Sequence, residues 1–134
     1  MSADGFMRFA SPHTVASTID RFADVARRRG LTVFARIDHA GGAAAAGLEM
    51  RPMELLVFGN ARGGTPLMNT QATVGIDLPL KALAWQDEDG ATWLGLNDPA
   101  WLGRRHDLPP EVHANIESMA EGLSTMARES VASG

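Results

Sequence analysis

The sequence is 134 residues long, with 45% hydrophobic and 21% charged residues, a net charge of −4 and no cysteine. This size and composition predict one globular domain over residues 1–134. The negative charge argues against a nucleic-acid partner, because phosphate binding requires a basic surface. The missing cysteines exclude disulfides and thiolate metal sites. Residues 1–5 lack the basic and apolar regions of a signal peptide, and no apolar run approaches the ~20 residues of a membrane span. We therefore expect a cytoplasmic protein without a membrane partner.

The first thirty residues predict a strand followed by a long helix. Residues 6–10 alternate in character as a short strand does. Ser11 and Pro12 are typical of a helix N-cap and the first helical residue. Apolar residues then recur at helical spacing until Gly30, which is a natural C-terminal stop.

The next thirty residues predict two strands around a segment of small residues. Residues 31–38 alternate as a strand with one aliphatic face. Residues 40–47 are alanine and glycine only and are compatible with a short helix that ends at Gly47. The apolar run at residues 55–58 predicts a strand that is buried on both faces and central in its sheet.

The second half of the chain predicts a loop, a hairpin and a final helix. Residues 61–73 are expected to form a loop with at most one helical turn. Acidic residues that end in Gly90 separate apolar runs at residues 80–86 and 91–96, which is typical of a β-hairpin. The last helix carries one apolar stripe, which covers the sheet or meets another subunit. Its members are Val112, Ile116, Met119, Leu123 and Met126.

Together these elements predict an α+β domain. Its sheet is antiparallel-rich, with about five strands in the chain order β-α-β-β-β-β-α, and two long helices cover it.

Five short motifs occur in an order that resembles a known family. They are ARIDHA at residues 35–40, GLEMRP at 47–52, GN at 59–60 with GTPLM at 64–68, DLPLK at 77–81 and NDP at 97–99. In this respect the chain resembles the domain-of-unknown-function 302 family over residues 12–108. The resemblance implies a TATA-binding-protein-like α+β fold and a homodimer, and it implies no activity. The family commonly has tyrosine before the NDP motif, where this chain has Leu96.

Charged residues around the alanine-glycine segment predict a cleft for a small molecule, with an acidic ligand group bound by Arg51 and a hydrogen bond to His39. The predicted lining consists of Asp38, His39, Glu49, Arg51, Glu54, Asn60, Thr65, Asn97 and Asp98. The alternative for Asp38 is a helix cap, and for His39 a structural hydrogen bond. No cofactor and no metal is predicted, because the four histidines lack the spacing of metal ligands.

Two other functions are compatible with the same residues. A small enzyme would use His39 as a general base, oriented by the carboxylate of Glu49 or Asp98. A protein-interaction module would have an apolar surface and no ligand.

The glycine-rich run at residues 59–66 has two interpretations. Its backbone N–H groups, together with Arg62, could hold an anion. Alternatively, Thr65 and Pro66 are an ordinary N-cap and first residue of a helix. The run lacks the ending of a phosphate-binding P-loop.

Overall fold

The computed structural model describes residues 4–133 and contains five strands and five α-helices in that range. The strands are β1 (Phe6–Ser11), β2 (Thr32–Asp38), β3 (Met53–Gly59), β4 (Leu80–Gln86) and β5 (Thr92–Asn97). The helices are α1 (Val15–Arg28), α2 (His39–Ala45), α3 (Ala61–Thr70), α4 (Pro99–Arg105) and α5 (His113–Ser130), with 3-10 turns at Ala72–Asp77 and Pro110–Val112. The sheet is antiparallel throughout, in the spatial order β1-β5-β4-β3-β2. The predicted α+β fold is therefore confirmed.

The main hydrophobic core lies between one face of the sheet and helices α1 and α5. Phe22 of α1 and Phe58 of β3 are fully buried and meet edge to face, with ring centroids 5.0 Å apart. Leu55 and Val57 of β3 point to the opposite face and are only half-buried. The prediction that β3 is buried on both faces is therefore wrong, since only one face is covered by the core. The strand does lie inside the sheet, between β2 and β4.

Helix α1 begins three residues later than the cap at Ser11 that the sequence predicted. Thr14 is the N-cap, and its side chain accepts a hydrogen bond from the backbone N–H of Ser17. The predicted stop is confirmed. Gly30 adopts a positive φ of 79°, and the amide of Leu31 donates to the carbonyl of Ala26, as in a common helix-ending motif.

Residues 61–70 form helix α3 rather than the predicted loop. Asn60 caps this helix by accepting a hydrogen bond from the amide of Gly63 at 2.8 Å. Thr65 and Pro66 lie inside α3, so the prediction that they begin a helix is wrong. Proline and two glycines have low helix propensity, which explains why sequence periodicity gave no helical signal here.

The short helix after β2 and the β4–β5 hairpin agree with the predictions made from the sequence. Asp38 caps α2 through the amide of Gly41 at 2.9 Å, and Gly47 follows the helix with a positive φ of 78°. The β4–β5 hairpin turns at Gly90, whose φ is 84°. Within residues 4–133 no helix combines the length and the apolar character that crossing a bilayer requires.

Candidate functional site

The first part of the predicted cluster lies where β2 ends and β3 begins. Asp38 and Glu54 are opposite each other in the register of these strands. Arg36, on the helix-covered face, donates to Glu54 at 2.6 Å and to Asp20 of α1. The neighbouring Glu54 carboxylate, followed by that of Asp20, raises the pKa of Arg36 above its usual value. Glu54 is thus occupied by an ion pair, while Asp38 is occupied by its helix cap.

Glu49 and Arg51 line a surface hollow beside the β4–β5 hairpin, which we call the hairpin cavity. Its volume is about 600 Å³. Its lining residues are Glu49, Met50, Arg51, Pro52, Met53, Trp85, Gln86, Asp87, Glu88 and Asp89. The guanidinium of Arg51 donates to the carbonyl of Gln86 at 3.2 Å, so its contact is to the hairpin backbone.

Asp87 organises the hairpin turn with its two carboxylate oxygens. One oxygen accepts from the indole N–H of Trp93 at 2.9 Å, and the other accepts from the amides of Asp89 and Ala91. The hydrogen bond from Trp93, followed by that from Ala91, lowers the pKa of Asp87. One carboxylate at the acidic rim of the hairpin cavity therefore already accepts hydrogen bonds within the turn.

His39 is exposed and its side chain makes no hydrogen bond with any residue between 4 and 133. The two carboxylates proposed to orient it lie elsewhere. Glu49 is exposed beside the hairpin cavity, and Asp98 is buried at the start of α4. Neither carboxylate therefore orients the imidazole of His39, as a general base would require.

The remaining predicted residues lie at the other end of the sheet. Asn60 and Thr65 belong to the turn after β3 and to α3, while Asn97 ends β5 and is exposed. Asp98 is only 2% exposed and caps α4 through the amide of Ala100; its second carboxylate oxygen has no partner among residues 4–133.

The nine predicted residues consequently do not surround one hollow, because the length of β3 separates the group around Glu54 from the group around Asn60. Whether any of them contacts a ligand stays a prediction.

Asn60 and Thr65 line a different hollow, between α3 and α5, which we call the α3–α5 cavity. Its volume is about 600 Å³, within the ~300–1,000 Å³ typical of small-molecule sites. Its apolar wall and floor are made by Leu31, Phe34, Met68, Leu78, Pro79, Leu80, Met119, Leu123 and Met126. Its remaining lining is made by Arg29, residues 59–65, Ser118 and Gly122. The cavity reaches the core, since Leu123 and Met126 are 3% and 2% exposed.

The charge of the α3–α5 cavity is entirely positive within the described residues. Its lining contains Arg29 and Arg62 and no acidic side chain. Arg29 is paired with Glu129 at 2.9 Å. Arg62 is exposed and makes no ion pair or hydrogen bond through its side chain to residues 4–133. One unpaired guanidinium therefore stands at the rim of an apolar hollow.

Sequence reasoning noted Arg62 only as an addition to a glycine-rich loop, and it did not foresee the α5 wall. The one available signal was Gly122, a glycine that directly precedes Leu123 of the apolar stripe of α5. A methyl group placed on Gly122 would meet no heavy atom within 4 Å outside its own helix and neighbours. The missing side chain at this position leaves open space over the helix.

A hydrogen-bonded cluster around His106 was also missed. Its imidazole Nδ1 lies 3.0 Å from the Thr73 hydroxyl, and its Nε2 lies 2.5 Å from the carboxylate of Asp77. Arg105 donates to the same carboxylate at 2.9 Å. These contacts tie the 3-10 turn Ala72–Asp77 to the end of α4. Leu78 and Pro79, which line the α3–α5 cavity, directly follow that turn.

Among residues 4–133 no three histidine, aspartate or glutamate side chains come together in a way that could hold a metal ion. Several of the charged groups are engaged in pairs and caps, such as Arg36 with Glu54 and Asp38 with the amide of Gly41. The α3–α5 cavity is therefore the part of the described chain whose geometry best fits a ligand.

Comparison with known proteins places these features in context. A family model described as domain of unknown function DUF302 matches residues 7–125. The protein named fluoride-specific ion channel FluC 1 of Brucella suis biovar 1 is 46% identical over 124 residues, which covers 92% of this chain and 49% of that protein. Its namesake in Brucella abortus biovar 1 is also 46% identical, with 46% of its length covered. This chain thus spans about half the length of the curated relatives it matches.

The crystal structure of an uncharacterized conserved DUF302 protein from Bacillus stearothermophilus is similar to this chain in fold. The TM-score is 0.84 at 20% sequence identity, and the match covers 95% of this chain and 98% of the other. At this level of identity the likeness concerns the fold and carries no residue roles.

Proposed function

The chain belongs to the DUF302 family, whose function is unknown, and from that premise we propose that it is a small-molecule binding protein whose site is the α3–α5 cavity. The observation that carries the proposal is a hollow of about 600 Å³ with a core-deep apolar floor and an unpaired arginine at its rim. Apolar walls with a few polar groups at one side are the usual design of ligand sites. The ligand therefore has an apolar body and an acidic group.

This proposal moves the predicted acidic-group contact from Arg51 to Arg62. Arg51 already donates to the carbonyl of Gln86, and its surroundings include Asp87, Glu88 and Asp89. An acidic ligand would meet repulsion there. Arg62 has no acidic neighbour among the described lining residues.

The ion-channel activity named for the Brucella relatives is not part of the proposal. The match covers about half of each of those proteins, so an activity of the whole relative need not reside in the matched half.

A neutral fluorescent probe, N-phenyl-1-naphthylamine, tests whether the cavity takes a ligand. We expect its emission to rise on binding to the wild-type protein. Gly122→Leu places a side chain into the open space over α5, so this variant should lose the emission rise. Leucine favours a helix more than glycine does, so the variant should keep its fold by circular dichroism.

The matched control for this experiment is Gly122→Ala, which changes the helix in the same direction but adds only a methyl group. It should bind the probe about as well as the wild type. Equal probe binding by the leucine and alanine variants, or no binding by the wild type, would rule out the α3–α5 cavity as the site.

We also propose that the protein forms a homodimer through the sheet face opposite α1 and α5. The half-buried apolar side chains of this face include Phe6, Leu55, Val57, Leu83 and Trp85. Phe6 and Trp85 stack with ring centroids 5.8 Å apart. Centres of homodimer interfaces are apolar in this way, and a twofold contact uses the same patch on both copies.

The test of the homodimer is molar mass in solution, measured by light scattering after size exclusion. The wild-type protein should have twice the 14.3 kDa of one chain, and Leu83→Glu should have the mass of one chain. Leu48→Glu is the control, because Leu48 is 66% exposed outside this face. A monomeric wild type, or a dimeric Leu83→Glu variant, would contradict this proposal and leave the cavity proposal intact.

A further inference from the structure

We infer that the ligand of the α3–α5 cavity is a single-chain anionic amphiphile, such as an alkyl carboxylate or an alkyl phosphate. Its charged head would lie at Arg62 and its chain along the methionine-rich wall of α3 and α5. This inference rests on the proposed function, and it adds the class, polarity and orientation of the ligand.

The head position follows from the distribution of charge. The chain carries 16 acidic and 12 basic residues, yet the described lining of this cavity has two arginines and no carboxylate. Arg29 already pairs with Glu129, which leaves Arg62 as the lining cation without a partner among residues 4–133. An anionic head would gain a charge-assisted hydrogen bond there, whereas a cationic head would meet only like charge.

The chain position follows from the methionine side chains that line the cavity. Met68 contributes from α3, and Met119 and Met126 contribute from α5. Unbranched thioether side chains adapt their shape to a flexible apolar guest. Leu123 closes the floor at 3% exposure, so the part of a chain that reaches it contacts a side chain shielded from water.

The size of the cavity suits a single small molecule. About 600 Å³ is typical of a site for one small molecule. Two of its lining side chains, Phe34 and Met68, are 56% and 39% exposed. They offer apolar contact to the part of the ligand that enters or leaves the hollow.

Displacement of N-phenyl-1-naphthylamine by compounds of equal length tests the polarity of the ligand. Dodecanoate and dodecyl phosphate should both displace the probe from the wild-type protein, and the stronger of the two identifies the head. Dodecanol should displace it about ten-fold less well, because it lacks the charge that pairs with Arg62. Dodecylamine should displace the probe even less well than dodecanol, because its cationic head meets only like charge.

A series of carboxylates from hexanoate to dodecanoate tests burial of the chain. Each added methylene should strengthen displacement about four-fold until the cavity is full, which is the usual gain for burying that group. All measurements stay below the micelle concentration of each compound. Affinity that does not depend on chain length would overturn the placement of the chain against Met119 and Met126.

Arg62→Gln separates the head contact from the rest of the cavity. It should weaken the binding of dodecanoate about ten-fold, near the lower end of what a hydrogen bond to a charged group contributes, and leave the binding of dodecanol unchanged. Arg104→Gln removes the same charge from an exposed position on α4 that does not line the cavity. It should behave as the wild type.

The outcomes separate this inference from the proposed function. A wild-type protein that does not bind the neutral probe contradicts the binding function itself. Probe binding with equal displacement by dodecanoate, dodecanol and dodecylamine retains the binding function and overturns the anionic class. An equal loss of affinity for dodecanoate in the Arg62 and Arg104 variants would show that the effect comes from net charge. It would overturn the assignment of the head to Arg62.

Discussion

The hairpin cavity and the α3–α5 cavity have the same volume, about 600 Å³, and opposite chemistry. The hairpin cavity is rimmed by exposed charged residues, and its Arg51 and Asp87 are engaged by the hairpin. The α3–α5 cavity has apolar walls that extend to buried α5 residues, with Arg62 unpaired at its rim. A high local density of charges in the sequence therefore marked a region where polar groups satisfy each other. The hollow best suited to a guest lies where few charges occur.

The largest difference between the two cavities should be in the contribution of their linings to stability. Leu123→Ala removes buried atoms from the floor of the α3–α5 cavity and should lower the free energy of unfolding by about 2–5 kcal/mol. Met50→Ala at the exposed hairpin cavity should change it by less than about 0.5 kcal/mol. Urea unfolding followed by circular dichroism measures both. Similar losses in the two variants would show that the cavities do not differ in this respect.

A smaller effect on the free energy of unfolding is expected at the N-terminus of α3, the helix that forms one side of the α3–α5 cavity. Asn60→Ala removes the hydrogen bond to the amide of Gly63 and should destabilise the protein by about 0.5–2 kcal/mol. Asn60→Asp keeps a capping oxygen and serves as the control in the same unfolding experiment. An alanine variant as stable as the aspartate variant would mean that the cap does not hold this wall.

Gly122→Ala should have the opposite effect and stabilise the protein, because it changes a helical glycine of α5 that lines the α3–α5 cavity. No heavy atom outside the helix and its neighbours lies within 4 Å of the new methyl group. Alanine in a helix interior is favoured over glycine by about 0.5–1 kcal/mol. Thermal unfolding should therefore occur at a higher temperature, and a lower temperature would indicate that the space over α5 is not open.

The smallest effect should appear at the hairpin cavity as a dependence of stability on pH. The pKa of Asp87 is lowered from its ordinary 3.8, chiefly by the hydrogen bond from Trp93. A lowered pKa means that its contribution to stability is present above pH 3.8 and is lost as the pH falls through the lower folded-state value. The melting temperature of Asp87→Asn should therefore lie below that of the wild type at pH 6, and the gap should narrow below pH 3.8.

Asp89→Asn is the control for this pH profile, because the Asp89 side chain makes none of the hydrogen bonds that hold the turn. Its melting temperature should follow that of the wild type across the same range. A gap between Asp87→Asn and the wild type that does not change with pH would contradict the assignment to this carboxylate.

Much of the fold was predictable because its signals are local. Each of these signals depends on a few neighbouring residues. They are the alternation of apolar and polar residues along the strands, the glycines with positive φ at positions 30, 47 and 90, and the apolar stripe of α5. Helix α3 escaped prediction for the same reason. Pro66, Gly63 and Gly64 argue locally against a helix, and the cap at Asn60 together with packing of Leu67 in the core outweighs them.

The site could not be read in the same way. Nearness in sequence suggested that Asp38, Glu49 and Glu54 belong together with Asn60, whereas β3 carries Glu54 and Asn60 to opposite ends of the sheet. The α3–α5 cavity joins Arg62 to Met119 and Gly122, which lie more than fifty positions further along the chain. The amino-acid sequence by itself determined most of the elements, with the exception of α3, and the family. Only the tertiary structure decided which charges pair and which one faces a hollow, because pairing depends on distances between distant segments.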